Sequence, residues 1–479
     1  MATKKVIAVD LGAESGRVMQ VGFDGSRLHI DEVHRFPNVA VNANDVLYWD
    51  ALRLWHEIQT GIRLAAPDSA GIGVDTWGVD FALLDRDGRL LCNPIHYRDK
   101  SWEGMMDWVF ERVPRRELYE ITGLQIIAVN TIWRLAHLVK TNSPLLETAH
   151  TYLTIADLFN FWLSGSKTCE FTHASTHQIF NPRLNGWDYD LLKRIGFPSQ
   201  MFPEIVPPGT RLGAYNGIPV WTTASHDTGS AVVAVPSTTE NYAYTSSGTW
   251  SLLGLELPTP VINDAAYAAN ATNEGGVNGT WRFLRNIAGM WLVQQCRAVW
   301  AEQGKHYEYA ELAALAEQAE AFTAFIDPDD DEFYQPGDMP ARIREVCVRS
   351  GQPAPETPGQ IVRVIYESLV LKYRHVLERL LQASGRTVER MHIIGGGSRN
   401  ALLCQMAADA LGRVVVAGPA EATALGNAIV QFVALGEFSS VAEARALLAK
   451  DADARTYEPR HTAAWDDAYD RFENLVKGP

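Results

Sequence analysis

The chain opens by alternating short apolar runs with turn-forming clusters: Val6–Val9, the Gly12–Gly16 stretch, Val18–Phe23, then Asp24-Gly25. Runs rich in valine and isoleucine, bounded by Gly, Asp and Ser, predict a β-meander. Residues 50–66 (DALRLWHEIQTGIRLAA) change period, placing apolar side chains at helical spacing. Residues 71–91 return to strand, a turn at Asp87-Gly88, and strand again. From about 104 to 165 the pattern is mainly helical, and 181–217, rich in Pro, Gly and Asn, reads as an irregular connection. A strand at 220–224 runs into a helix beyond Ser225-His226-Asp227. Such alternation of strand and helix predicts an α/β protein and argues against an all-helical bundle.

The polar, turn-forming segment 236–241 (PSTTEN) is the predicted domain boundary, giving domains of 1–238 and 239–479. A second strand–turn–strand pattern follows it, YAYTSSGTWSLLGLE, about half the chain after the first, so two lobes of related topology are expected. Helices are then predicted at 286–303, 309–320, 357–385 and 399–411, with a strand ending in the glycine triplet of MHIIGGGSRN between the last two. The absence of a repeat at a period of 20 to 50 residues excludes solenoids and propellers.

Composition narrows the function. The 479 residues, 47% hydrophobic and 21% charged, are ordinary for a globular chain of more than one domain. A net charge of -15 repels phosphate backbones and anionic lipid, so nucleic acid and membrane are not expected partners, although a local pocket can still bind a nucleotide through backbone N–H groups. The five cysteines are odd in number and far apart, which suits reduced thiols in a cytoplasm. Val6–Val9 is too short for a signal peptide, and Val414–Gly436, broken by Pro419 and Glu421, is a poor membrane span.

Five segments carry polar chemistry at element ends. Asp10 closes an apolar strand, and Gly12, Ala13, Glu14, Ser15, Gly16 and Arg17 form the turn after it. A carboxylate there suits a hydrated magnesium ion, with turn N–H groups for phosphate oxygens. Ser246-Ser247-Gly248-Thr249-Trp250 is a matching turn in the second half, and Gly395-Gly396-Gly397-Ser398-Arg399-Asn400 lets a planar group approach the backbone ahead of a helix. Asp227 sits where a helix N-terminus should keep it ionised, as a proton acceptor must be. Asp75-Thr76-Trp77-Gly78-Val79-Asp80 gathers two carboxylates and an indole at one strand end, which suits a polyhydroxylated ligand. Each also has a plain structural reading: a polar or Ser/Gly turn, a tight strand-to-helix turn, a helix cap, ordinary packing. His173 and His177 could share a helix face, but no third metal ligand lies nearby.

In kind and order these segments resemble the superfamily of sugar kinases, Hsp70 and actin. Within it the chain resembles the FGGY carbohydrate kinases through AVDLGAESGRV, IGVDTWGVDFALLDRDG, Tyr97-Arg98-Asp99, ASHDTGSAV, SSGTWSLLG, ANATNEGG, NIAGMWLVQQ, HIIGGGSRN and AGPAEATALGN. Its nearest likeness is to the branch that phosphorylates L-rhamnulose. The resemblance implies two ribonuclease-H-like lobes with an active-site cleft between them, and ATP and Mg²⁺ as the phosphoryl donor system. It implies Asp227 as general base and Gly78, His226, Thr228 and Asn286 as sugar contacts, with Asp80 counted among them. ATP would meet Ala13, Glu14, Ser15, Gly16, Arg17, Gly248, Thr249, Gln294, Gly395, Gly396, Gly397 and Asn400, and Asp10 would stand near the metal. Glu14 takes a position where relatives often carry a hydroxyl residue, so backbone contacts are expected there. The product would be L-rhamnulose 1-phosphate, made by a monomer or homodimer. Another ketose such as L-fuculose or L-xylulose, or a non-catalytic sugar or nucleotide sensor, are the alternatives.

Overall fold

The computed structural model describes residues 3–450 and 454–476. Its contacts divide the chain into two compact units: Met1–Ala234 with Glu256–Phe283 and Ala422–Lys450, and Val235–Leu255 with Leu284–Glu421 and Asp451–Pro479. The strands that frame the candidate site are β1 (Lys4–Leu11), β2 (Ser15–Phe23), β3 (Leu28–Pro37), β4 (Ser69–Thr76), β5 (Arg211–Tyr215), β6 (Ile218–His226), β7 (Tyr242–Ser247), β8 (Trp250–Leu257), β9 (Thr272–Gly275), β10 (Trp281–Ala288), β11 (Arg390–Ile394) and β12 (Val414–Ala417). The helices are α1 (Ala51–Ala65), α2 (Asp227–Val233), α3 (Trp291–Glu302), α4 (Pro358–Ser384), α5 (Ala401–Leu411) and α6 (Ala422–Ala434).

The first unit is built on a sheet of order β5-β6-β4-β1-β2-β3. Strand β1 is buried from Val6 to Leu11, as a central strand between antiparallel β2 and parallel β4 must be. Register then places Asp10 opposite Arg17 on β2 and beside Asp75 on β4. Helix α1 starts at the Asp50 cap, whose side chain accepts from Arg53 N, and buries Leu54, Ile58 and Ile62. It lies so close to β2 that a Cβ at Gly61 would stand 2.3 Å from Val18 Cγ2. Helix α6 packs on β1, β4 and β6 and against α2, where a Cβ at Gly426 would stand 1.7 Å from the Ser230 carbonyl oxygen.

The second unit contains the run β10-β8-β7-β11-β12 of a seven-stranded sheet. Here too a hairpin (β7, β8) has a parallel strand, β11, beside its first member and a second parallel strand, β12, beyond that. The run β6-β4-β1-β2 in the first unit has the same logic, so the two units of related topology expected from the spaced hairpins are present. Helix α4 begins with a capping box in which Thr357 and Gln360 satisfy each other's backbone N–H, and it is buried along most of its length.

Local differences from the sequence reading have visible causes. Residues 286–288 are the end of strand β10, and the helix expected from 286 starts at Trp291. The mainly helical 104–165 contains a strand, Thr151–Thr154, paired with Phe81–Leu84, and 181–217 holds a helix at Tyr189–Arg194 and short strands. Among the described residues no helix is long and apolar enough to cross a membrane. All five cysteines are free thiols, four of them buried.

Candidate active site

At the carboxyl end of β1 the Asp10 carboxylate pairs with the guanidinium of Arg17 across the hairpin. The turn between them is braced by Gly12 N donating to Ser15 O (3.0 Å) and by Asn38, whose Nδ2 donates to Gly12 O and whose N donates to Glu14 O, both at 2.9 Å. Gly16 serves packing, since a Cβ there would collide with the Phe36 ring at 2.2 Å. Glu14 is exposed, and Ala13 and Ser15 are half-buried. Beside Asp10, Asp75 is fully buried and accepts a 2.6 Å hydrogen bond from Asn427 Nδ2 of α6. Gln431 Nε2 fixes that amide by donating to Asn427 Oδ1 (2.8 Å) and to Ile7 O (2.9 Å). Burial first, and the charge of Asp10 second, push the Asp75 carboxyl well above the usual carboxylate range.

Asp227 is the first residue of α2, where the backbone turns from strand β6 into helix. Its Oδ1 accepts from Thr228 N at 2.6 Å and from Thr228 Oγ1 at 3.3 Å, and lies 3.3 Å from His226 Nε2. The side chain keeps 29% of its surface exposed. The helix N-terminus was expected to hold the carboxyl ionised, yet burial raises it above the ordinary aspartate value, with His226 and the Thr228 N–H opposing. A raised value makes a stronger proton acceptor.

His226 is anchored from behind. Its backbone N donates to Thr172 Oγ1 (3.3 Å), whose hydroxyl donates to Glu170 Oε2 at 2.6 Å. Glu170, fully buried, also accepts from the N–H groups of Thr172, His173 and Ser225. On the ring's other side stand Glu274 of β9 and Arg282 of β10. Burial pushes the Glu274 carboxyl up, but Arg282 and His226 outweigh it and hold the group below its ordinary value. Gly78 gives the ring room: a Cβ there would stand 3.1 Å from His226 Nε2 and 3.3 Å from Thr176 Oγ1.

Asp80, expected among the sugar contacts, is fully buried and already engaged. Its Oδ2 accepts from the indole N–H groups of Trp49 and of Trp77, the latter at 2.7 Å, and its Oδ1 pairs with the buried Arg134. Fully buried and taken up by three donors, Asp80 sets the two tilted indoles, 4.1 Å between centroids, and turns no oxygen to the surface. His173 and His177 are also structural. His173 Nε2 lies 3.0 Å from Trp77 O, His177 Nδ1 bonds the Tyr152 hydroxyl, and among the described residues no three His, Cys, Asp or Glu side chains form a metal cage.

The second unit holds the other expected contacts. The turn Gly248-Thr249 is tied to the start of α3: Met290 N donates to Gly248 O (3.0 Å), and Gly289 N and Trp291 N donate to Thr249 O at 3.1 and 3.2 Å. Gln294 Nε2 reaches Thr249 Oγ1 at 3.3 Å. In the glycine triplet the three positions differ. A Cβ at Gly395 would be 3.1 Å from Ser247 O and one at Gly397 only 2.1 Å from Ser247 Oγ, whereas Gly396 has no atom within 4 Å. The outer two glycines pack the turn on β7, and the middle one leaves an open backbone face. Asn400 caps α5 by accepting from Leu403 N at 3.1 Å. Asn286 lies on β10, in the second unit.

The residues that sequence reasoning passed over are Glu274, Arg282, Glu170 and Asn427. An arginine between Trp281 and Phe283 in the strand WRFLRNIA was the available signal for Arg282.

Residues 5–234 match the FGGY family of carbohydrate kinases, N-terminal domain, and residues 243–435 match the C-terminal domain of the same family. The chain is 45% identical to a rhamnulokinase of Bacteroides thetaiotaomicron, over 98% of this chain and 99% of that one. With a rhamnulokinase of Pectobacterium atrosepticum it shares 39% identity, over 99% and 97%. Among solved structures its fold is similar to ligand-bound xylulose kinase from Lactobacillus acidophilus (TM-score 0.80, 15% identity, 99% and 98% covered). It is likewise similar to Plasmodium falciparum glycerol kinase with ADP (TM-score 0.78, 16% identity, 99% and 98% covered).

Proposed function

Because the chain belongs to the FGGY family of carbohydrate kinases, we propose that it transfers the γ-phosphoryl group of ATP to O1 of L-rhamnulose, giving L-rhamnulose 1-phosphate and ADP. The observation that carries the chemistry is Asp227, whose Oδ1 is held by Thr228 N and faces His226 Nε2, so that Oδ2 remains for a substrate hydroxyl. The sugar's identity is supported by rhamnulokinase relatives that align with nearly the whole chain.

In this reading Asp227 Oδ2 takes the proton of the O1 hydroxyl as O1 attacks the γ-phosphorus, and the bond from that phosphorus to the bridging oxygen of ADP breaks. Gly78, His226 and Thr228, with Asn286, hold the sugar. Trp77, fixed by Asp80, offers an aromatic face for its C–H groups. The open backbone at Gly396, the Gly248-Thr249 turn with Gln294, and the turn Ala13–Arg17 meet ATP. Asp10 is the carboxylate that would hold a hydrated magnesium ion brought with ATP, which would offset the charge of the phosphate oxygens. The donor set fits: Asp10 supplies a carboxylate at the carboxyl end of β1, and Mg²⁺ is usually held by one or two carboxylates, phosphates and water.

The test is a coupled ADP-release assay with MgATP across L-rhamnulose, L-fuculose, L-xylulose, D-xylulose, L-ribulose and glycerol. A kcat/KM preference for L-rhamnulose supports the reading. Preference for another ketose keeps the kinase and moves the specificity, and no turnover with any of them overturns it.

A further inference from the structure

The geometry points to Arg282 as a positioning residue: it fixes the tautomer of His226, so that the ring's Nε2–H holds Asp227 Oδ1 and leaves Oδ2 to the substrate. This rests on Asp227 being the base.

Arg282 has no exposed surface, although it is an arginine in a strand of apolar neighbours. Two arms of its guanidinium make hydrogen bonds and the third is an ion-pair contact. Nε donates to Gly275 O at 2.8 Å, Nη1 lies 3.0 Å from Glu274 Oε2, and Nη2 lies 3.1 Å from His226 Nδ1. A guanidinium stays charged and has donors only. Its contact with Nδ1 is therefore a hydrogen bond only if Nδ1 carries a lone pair, and a neutral imidazole with a lone pair on Nδ1 has its proton on Nε2.

On the opposite edge, this tautomer turns an N–H toward Asp227. Nε2 stands 3.3 Å from Asp227 Oδ1. Glu274 Oε2, 3.2 Å from Nδ1, takes no hydrogen bond, so the partner that Nδ1 does engage is the Arg282 donor. Glu274 then balances the buried charge of Arg282, without which the guanidinium would be uncompensated. The backbone of His226 is tied to Thr172 Oγ1, and the absence of a side chain at Gly78 gives the ring its place. Arginine is needed because a lysine ammonium cannot reach Gly275 O, Glu274 and His226 with one planar fork.

The decisive measurement is ¹⁵N NMR of the full chain labelled at the histidine rings, with the His226 signals assigned by their loss in His226→Gln. The expected spectrum has Nε2 protonated and Nδ1 bare. A proton on Nδ1 in the wild-type protein overturns the proposal, and that readout needs no variant with an altered Arg282 to fold. As a second arm, Glu274→Gln and Arg282→Lys are expected to lower kcat by about tenfold or more while KM for ATP stays within about twofold. A folded Arg282→Lys with unchanged kcat overturns it as well. Asp227→Asn separates the two readings: full turnover there removes the base itself, whereas a dead Asp227→Asn beside an Nδ1-protonated His226 removes only the role of Arg282.

Discussion

The side-chain amide of Asn427 donates a 2.6 Å hydrogen bond to the carboxyl of Asp75, 352 positions earlier in the chain. Asp75 has no exposed surface and its other oxygen no hydrogen-bond partner. Asn427→Ala should therefore leave a buried carboxyl without a donor and lower stability by about 1–3 kcal/mol. Urea unfolding of Asn427→Ala, Asp75→Ala and the double variant checks this. The double variant should recover part of the loss, and strictly additive effects would contradict the pairing.

At Gly426 helix α6 comes so near α2 that a methyl group would penetrate the Ser230 carbonyl, at 1.7 Å. Gly426→Ala gains about 1 kcal/mol in helix propensity but forces two packed helices apart. We expect a net loss of about 1–3 kcal/mol, read as a lower urea midpoint.

The glycine triplet allows a separation of packing from ligand contact. Gly397→Ala should destabilise the fold, since its Cβ would fall 2.1 Å from Ser247 Oγ. Gly396→Ala, in open space, should leave the thermal midpoint in place and raise KM for ATP by about tenfold, roughly 1.4 kcal/mol of binding. An unchanged KM for ATP in Gly396→Ala would remove that backbone face from the nucleotide site.

Asp227→Asn should preserve sugar binding and lower kcat by about a hundredfold or more. In the parent enzyme the base must be ionised, and burial raises its pKa above 3.8. The acid limb of kcat/KM should consequently fall away at a higher pH than an exposed aspartate would give, as a pH–rate profile would record.

Burial holds two histidines neutral far into acid: His96, aided by Arg98 and Arg134, and His173, aided by His226, are both lowered from 6.5 to about 3. Unfolding releases each ring to its ordinary value, so the unfolded chain binds more protons between these limits. Their contribution to stability is complete above pH 6.5 and is lost progressively as pH falls toward 3. The buried carboxyls Asp157 and Glu170, raised to about 6 and about 8, act in the opposite direction, so the test is differential. His173→Gln should shrink the stability difference between pH 7.5 and pH 5 by about 2 kcal/mol relative to the parent, by urea titration at both values.

Much of this arrangement could be read along the chain because its signals are local. The Gly12–Gly16 and Ser246–Trp250 turns stand between apolar strands, and Thr357 with Gln360 marks the start of α4 within a residue of its place. What escaped was set by partners distant in sequence. Asp80 looked like a ligand contact because it ends a motif with Trp77, and only the folded chain brings Trp49 and Arg134 to occupy its oxygens. Glu274 and Arg282 are a buried ion pair, which has no pattern in a strand beyond two charges where apolar residues would serve. Helix Met339–Arg349 follows a stretch of Asp, Pro and Gly that reads as loop, and its Asp338 cap was hidden there.

The first unit is assembled from three stretches of chain, and its third, Ala422–Lys450, brings α6 with Asn427 and Gln431. During synthesis the sheet beginning at Lys4 has to wait for that helix. At about 5–20 residues per second, the ribosome needs roughly 10–40 s to go from residue 234 to residue 434. Throughout that interval the nascent first unit lacks both the amide that caps Asp75 and the helix that covers β4, which makes it a natural client for chaperones until elongation is nearly done.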